Sequence, residues 1–126
     1  MSAGMLEHVN VTVSDPDKTA QLMCDLFDWH IRWEGPSMMG GRTVHVGTDE
    51  AYVAVYTTKD PVPAHGDNHA AGGLNHIGVQ VDDLAAVEQK VIAVGYKPFN
   101  HGDYEPGRRF YFLDEDRIEF EIVSYA

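Results

Sequence analysis

The chain has 126 residues, the size of one compact domain or of two half-domains sharing a core. Its hydrophobic share of 44% and charged share of 23% are ordinary for a globular protein, and a net charge of −11 argues against a nucleic-acid partner, which needs a basic face. Cys24 is the only cysteine, which excludes an internal disulfide and a cysteine-rich metal site, and no apolar run approaches the roughly 20 residues of a membrane span.

The first residues, MSAGMLEHV, lack the basic and apolar regions of a signal peptide, so a cytoplasmic location is expected. Residues 6–13 alternate as a strand: Val9, Val11 and Val13 share one face, and His8, Asn10 and Thr12 share the other. Ser14-Asp15-Pro16 predicts a helix start, with a capping side chain followed by proline in the first turn. Ala20, Met23, Leu26 and Phe27 then form the apolar stripe of a helix over 16–28. Short strands are expected at 30–34, 42–47 and 52–57, punctuated by Gly35-Pro36 and Gly47-Thr48-Asp49. The stretch 58–73 (TKDPVPAHGDNHAAGG) reads as a linker.

Beyond it the plan returns. A strand over 74–81 places Ile77, Val79 and Val81 on one face, opposite His76, Gly78 and Gln80. Asp83 can cap a helix carrying Leu84, Val87, Val91 and Val94, with Gly95 as its stop. Strands near 97–101, 109–113 and 117–124 complete the second half. The expected architecture is therefore α+β: two βαβββ modules, about 5–57 and 74–125, paired in one domain as a curved, barrel-like mixed sheet with the helices outside.

The duplication is visible in the residues themselves. Leu6–Asp15 (LEHVNVTVSD) and Leu74–Asp83 (LNHIGVQVDD) agree at five of ten positions. His8 and His76 thus occupy equivalent places on the polar faces, which line the concave side if the valine faces meet the helices. In the last strand Ile118, Phe120 and Ile122 are the apolar face, which turns Glu119 and Glu121 to the concave side. A lone histidine in a strand is more often a hydrogen-bonded structural residue. Two at repeat-related positions, with a carboxylate on the same face, favour a divalent metal such as Fe, Mn or Zn. Alternation alone leaves open which glutamate would ligate.

The same parity turns Tyr52, Ala54 and Tyr56 inward from the strand 52–57, and Arg109 and Tyr111 inward from the strand 109–113. Tyr52, Tyr56 and Tyr111 are candidates for the pocket. Arg109 would either recognise an anionic substrate group or pair with one of the many carboxylates. His45 also faces inward, as a pocket or wall residue. His30, His65, His69 and His101 fall in loop-like or edge contexts and are expected to be solvated. Trp29 and Trp33 are expected in the core or at a dimer contact.

These pieces together resemble the vicinal oxygen chelate superfamily, which includes glyoxalase I, bleomycin-resistance proteins, fosfomycin-resistance transferases and extradiol dioxygenases. The resemblance is carried by LEHVNVTVSDPDKTAQLMCDLFDW, LNHIGVQVDDLAAV and RRFYFLDEDRIEFEIVSY, and by their order, spacing and duplication. The last piece resembles a Phe-x-Asp-Pro-Asp-Gly turn, with Glu115 and Arg117 where Pro and Gly are usual, which leaves the shape of this turn open. The resemblance implies the metal ligands His8, His76 and Glu121, with Ni added to the possible metals. Ala54 falls on or beside the family's fourth ligand position and cannot ligate, which departs from glyoxalase I. It implies a small oxygenated substrate chelated to the metal, in a glyoxalase-like lyase or isomerase or a dioxygenase. Glu119, Tyr56 and Tyr111 would serve proton transfer or orientation, and Arg109, His45 and Tyr52 substrate binding. A fosfomycin-type thiol transferase and a metal-free drug-sequestering protein are the alternatives. A homodimer is expected, with sites within one chain or shared between subunits.

Overall fold

The computed structural model describes residues 3–63 and 67–126, which form two units dividing after Pro63. His65 lies outside the described residues. The first unit runs β1 (His8–Thr12), α1 (Pro16–Phe27), β2 (His30–Pro36), a 3-10 turn (Met38–Gly40), β3 (Arg42–Gly47) and β4 (Tyr52–Thr57). The second runs β5 (Ile77–Gln80), α2 (Leu84–Ala93), β6 (Phe99–Tyr104), β7 (Gly107–Leu113) and β8 (Glu119–Ser124). Each unit holds one open four-stranded sheet, ordered β1-β4-β3-β2 and β5-β8-β7-β6. In both, the first strand joins parallel to the last, which the intervening helix permits, and the other pairs are antiparallel. The protein is α+β, with the same plan twice.

The helices begin where their caps dictate. Asp15 accepts a hydrogen bond from the Lys18 amide, and Asp83 accepts one from the Ala86 amide, each satisfying an amide that has no partner inside its helix. Pro16 occupies the first turn of α1. After α2, Gly95 adopts a positive φ of 101° and the Tyr96 amide returns to the Val91 carbonyl, the left-handed ending that glycine permits.

In the first unit α1 lies over β3 and β4. Ala20, Met23 and Leu26 bury against Val44, Val46, Val53 and Val55, and each of the larger side chains contributes roughly 1.5–3 kcal/mol by leaving water. β1 lies at the sheet edge, so Val13 is buried but Val9 remains 41% exposed, contrary to the expectation that the whole valine face meets the helix. In the second unit Val87 and Val91 pack over β7 and β8, whose Phe110, Phe112, Phe120 and Ile122 are fully buried. Phe112 and Phe120 stack at 4.9 Å. Val94, expected on the stripe, is exposed beyond the last turn.

The β7–β8 turn is organised by Asp114, whose Oδ1 accepts from the backbone amides of Asp116 (2.9 Å) and Ile118 (3.0 Å). Arg117 takes a φ of 63° at the place where glycine is usual, so the turn keeps a left-handed residue despite the substitution. Burial pushes the Asp114 carboxyl up to about 6, although the two backbone bonds oppose the rise. Both bonds fall on one oxygen, so the other can hold a proton without losing either. A carboxyl raised on folding stabilises the fold while protonated, and that contribution is lost as pH climbs through about 6. Asp114→Asn, which keeps the acceptor, is expected to exceed the wild type by about 3 kcal/mol above pH 7 and to flatten the stability profile between pH 4 and 7. Urea denaturation across that range measures both, and parallel profiles for the two proteins would refute the assignment.

Candidate functional site

In the first unit the face opposite α1 carries a row of rings. The register sets His8 beside Tyr52, His45 beside Ala54 and Trp33 beside His45. The Tyr52 ring stacks on His8 (centroids 4.9 Å apart, 13° between planes) and on His45 (4.4 Å, 24°). Trp33 leans on His45 at 5.1 Å, and the Arg32 guanidinium sits 4.6 Å from the Tyr52 centroid. Burial, and then the neighbouring His8 and Arg32, lower the His45 pKa, which favours its neutral ring. Tyr56 stands further along the same face and donates its hydroxyl to the Met38 carbonyl at 3.4 Å. The Nδ1 of His8 lies 2.5 Å from Glu7 Oε1, and that hydrogen bond holds the Glu7 carboxyl below its ordinary range.

The second unit gathers more of the candidate residues. His76 directly precedes β5, with its Nδ1 2.7 Å from Asn75 Oδ1 and its Nε2 3.2 Å from Glu121 Oε1. Glu121 is held from its other oxygen, where Oε2 accepts from Arg109 Nη1 (3.0 Å) and the Tyr111 hydroxyl (3.1 Å). Burial, then the bond to Glu121, raise the Tyr111 pKa, so this hydroxyl is a proton donor at neutral pH. Gly78 faces Glu121 across the β5–β8 pair, and a Cβ there would lie 3.8 Å from Oε1, so glycine leaves that oxygen clear. Asn75, His76, His101, Tyr104, Tyr111 and Glu119 help line an open recess of about 380 Å³.

The tautomer of His76 follows from its partners. Asn75 Oδ1 can only accept, so Nδ1 carries a proton, which leaves Nε2 as the atom turned toward Glu121. Nε2 and the carboxylate oxygen stand 3.2 Å apart, a spacing that a shared proton or a shared cation can bridge. In a metalloprotein such a contact to the non-ligating nitrogen orients the ring and raises its basicity. His8 repeats the arrangement with Glu7. Imidazole nitrogens and a carboxylate oxygen suit a divalent transition metal, and in this respect the residues fit one. Among the described residues, no group of three His, Cys, Asp or Glu side chains is placed so that it could hold a metal ion.

Thus His8, His45 and Tyr52 come together in one unit, and His76, Arg109, Tyr111, Glu119 and Glu121 in the other. Three of the remaining histidines are also paired: His30 with Asp49, His69 with Asn75, and His101 with Glu88. His101, expected in solvent, is half exposed yet forms part of the recess wall. Glu7, Asn75 and Tyr104 escaped the reading of the sequence. The signal for the first two was present, since both fill the position before the repeated histidine with an oxygen-bearing side chain.

Comparison with known proteins accords with this duplicated plan. The profile of the glyoxalase/bleomycin resistance protein/dioxygenase superfamily matches residues 5–122, and the chain belongs to that superfamily. No curated protein matches the sequence. Among solved structures, the chain is similar to the glyoxylase/bleomycin resistance protein/dioxygenase domain from Frankia sp. EAN1pec, at 20% identity and a TM-score of 0.83 over 98% of each chain. It is also similar to the fosfomycin resistance protein FosX from Listeria monocytogenes complexed with Mn(II) and sulfate (18% identity, TM-score 0.74, 98% of this chain and 93% of that one). TnmS3, an antibiotic binding protein from Streptomyces sp. CB03234, is a third (17%, TM-score 0.71, 100% and 99%). At these identities the likeness is one of fold. No helix among the described residues is long and apolar enough to cross a membrane.

Proposed function

We propose that this protein is a metal-dependent enzyme of the vicinal oxygen chelate type, in which His8, His76 and Glu121 hold a divalent metal (Fe, Mn, Zn or Ni) that chelates a small oxygenated substrate. The observation that carries this reading is the matched holding of two repeat-related histidines by Nδ1, to Glu7 and to Asn75, which leaves both Nε2 atoms for ligation. When bound, the metal supplies Lewis acidity toward two adjacent substrate oxygens. Around it, Arg109 and Tyr111 fix Glu121 through Oε2, leaving Oε1 directed toward His76. Glu119, on the wall of the recess, is the candidate base, and the protonated Tyr111 hydroxyl the candidate donor. This division favours proton transfer in a lyase or isomerase over the dioxygenase reaction. Tyr56, tied to Met38 in the other unit, is left an orienting role.

Assembly as a cytoplasmic homodimer belongs to the same proposal. It is supported by the apolar side chains that the first unit leaves in solvent, Leu6, Val9, Ile31 and Trp33 among them. A second reading has its own observation. The Trp33, His45, Tyr52 and His8 rings offer a flat surface of the kind that stacks on a planar ligand, as a metal-free sequestering protein would use.

Metal content separates the two. Protein purified without chelator is expected to carry about one divalent ion per chain by elemental analysis, and His76→Ala to lose it while keeping its circular dichroism spectrum. Equal stoichiometry in the two proteins would remove His76 from the ligand set, and metal-free wild type would favour the sequestering reading.

A further inference from the structure

Arg109 is 13% exposed and uses one of its three nitrogens. Nη1 donates to Glu121, while Nε and Nη2 are buried without a hydrogen-bond partner. Such donors are costly to leave unmet, the more so on a charged group. Nε and Nη2 form the side-on edge of the guanidinium, two parallel N–H groups spaced to match the two oxygens of a carboxylate. Arg42 shows the pairing within this same chain, giving Nε to Asp17 Oδ2 at 2.9 Å and Nη2 to Asp17 Oδ1 at 2.8 Å. In Arg109 that edge has no carboxylate.

Its surroundings connect it to the recess. The Tyr104 ring covers the guanidinium, with Cζ 5.1 Å from the centroid, and Tyr104 is also part of the recess wall. Gly102 makes this possible, because a Cβ there would stand 2.6 Å from the Tyr104 ring. Tyr104 is 63% exposed, so one side of its ring borders solvent. Glu121 adds negative charge beside the guanidinium, which disfavours a dianion more than a monoanion.

We infer that the substrate is a small carboxylate, bound through its two oxygens by the Nε–Nη2 edge of Arg109 with Tyr104 as a movable cover. The inference rests on the proposed site and names its substrate class: one group of the molecule is anchored at Arg109, which at the same time positions Glu121 through Nη1.

The arginine Nε–H resonances of the purified protein report this group directly, and Arg109→Lys assigns the Arg109 signal. Titration with acetate is expected to move that signal downfield to saturation while the signals of Arg32, Arg42, Arg108 and Arg117 stay in place. Arg109→Lys, which keeps the charge but loses the fork, is expected to weaken acetate binding by calorimetry about tenfold. Tyr104→Ala leaves Arg109 intact and is expected to bind acetate at least as tightly as the wild type. An Arg109 signal that does not respond, or acetate affinity unchanged in Arg109→Lys, overturns the inference. Inorganic phosphate binding more tightly than acetate at the same signal overturns the carboxylate assignment in favour of a phosphoryl group. The two readings fail separately: metal-free protein whose Arg109 still takes acetate removes only the metal, and metal-loaded protein whose Arg109 ignores acetate removes only this inference.

Discussion

Glu121→Gln is expected to lower metal affinity by about 100-fold or more, and Glu119→Gln by no more than a few-fold. The two glutamates lie on the same strand face two residues apart, so alternation cannot rank them. Their partners can. Glu121 is held at Oε2 by a guanidinium and a phenol, and its Oε1 faces His76 Nε2 at 3.2 Å. An oxygen already directed at His76 Nε2 is the better placed of the two to join it on a metal. The carboxamide introduced by Glu121→Gln would keep an oxygen for Arg109 but lose the negative charge, and a neutral carboxamide is the poorer ligand for a transition metal. The same change strips Arg109 of its ion pair, so some loss of thermal stability should accompany the loss of metal. Equilibrium dialysis with Mn(II) on both variants, after thermal melts establish that each is folded, gives the ranking. The reverse order would move the ligand to Glu119.

Much of this architecture was legible because local signals and the duplication agree. Asp15, Pro16, Asp83 and Gly95 punctuate the helices where the residue types demand, and the alternating valines set the strand faces. What escaped depends on neighbours that no local pattern encodes. Val9 has the right parity to be buried, yet β1 is an edge strand and α1 lies over β3 and β4. The strand expected from Leu74 starts at Ile77, and the Asn75 carbonyl takes its hydrogen bond from the Asn68 side chain at 2.8 Å. For the candidate site, parity grouped Arg109, Tyr111 and Glu121 on one face. It could not show that Arg109 both pairs with Glu121 and keeps an unmatched edge, because that depends on which nitrogen meets which oxygen. Nor could spacing assign Asn75 and Glu7 to the histidines beside them, since strands running from Leu6 and Leu74 would turn adjacent residues to opposite faces, whereas β1 and β5 begin only at His8 and Ile77.

A mixture of His8→Ala and Glu121→Ala subunits is expected to recover about a quarter of the wild-type metal content, although each variant alone holds almost none. The expectation follows from one of the two arrangements open to a homodimer, in which each site takes His8 from one subunit and His76 with Glu121 from its partner. In a two-fold dimer of that kind every site is built twice from the same parts. A heterodimer of the two variants then has one site carrying both lesions and one carrying neither. Random exchange makes about half of all dimers heterodimers, each with one of two sites intact, hence about a quarter overall. Sites built within a single chain give a different result, because every subunit then carries one lesion in its only site and mixing restores nothing. Unfolding and refolding the mixture together ensures exchange, sedimentation establishes the dimer, and elemental analysis reads the metal. Absence of recovery in a verified heterodimer places each site within one chain. A wild-type monomer that retains its metal rules out sharing altogether.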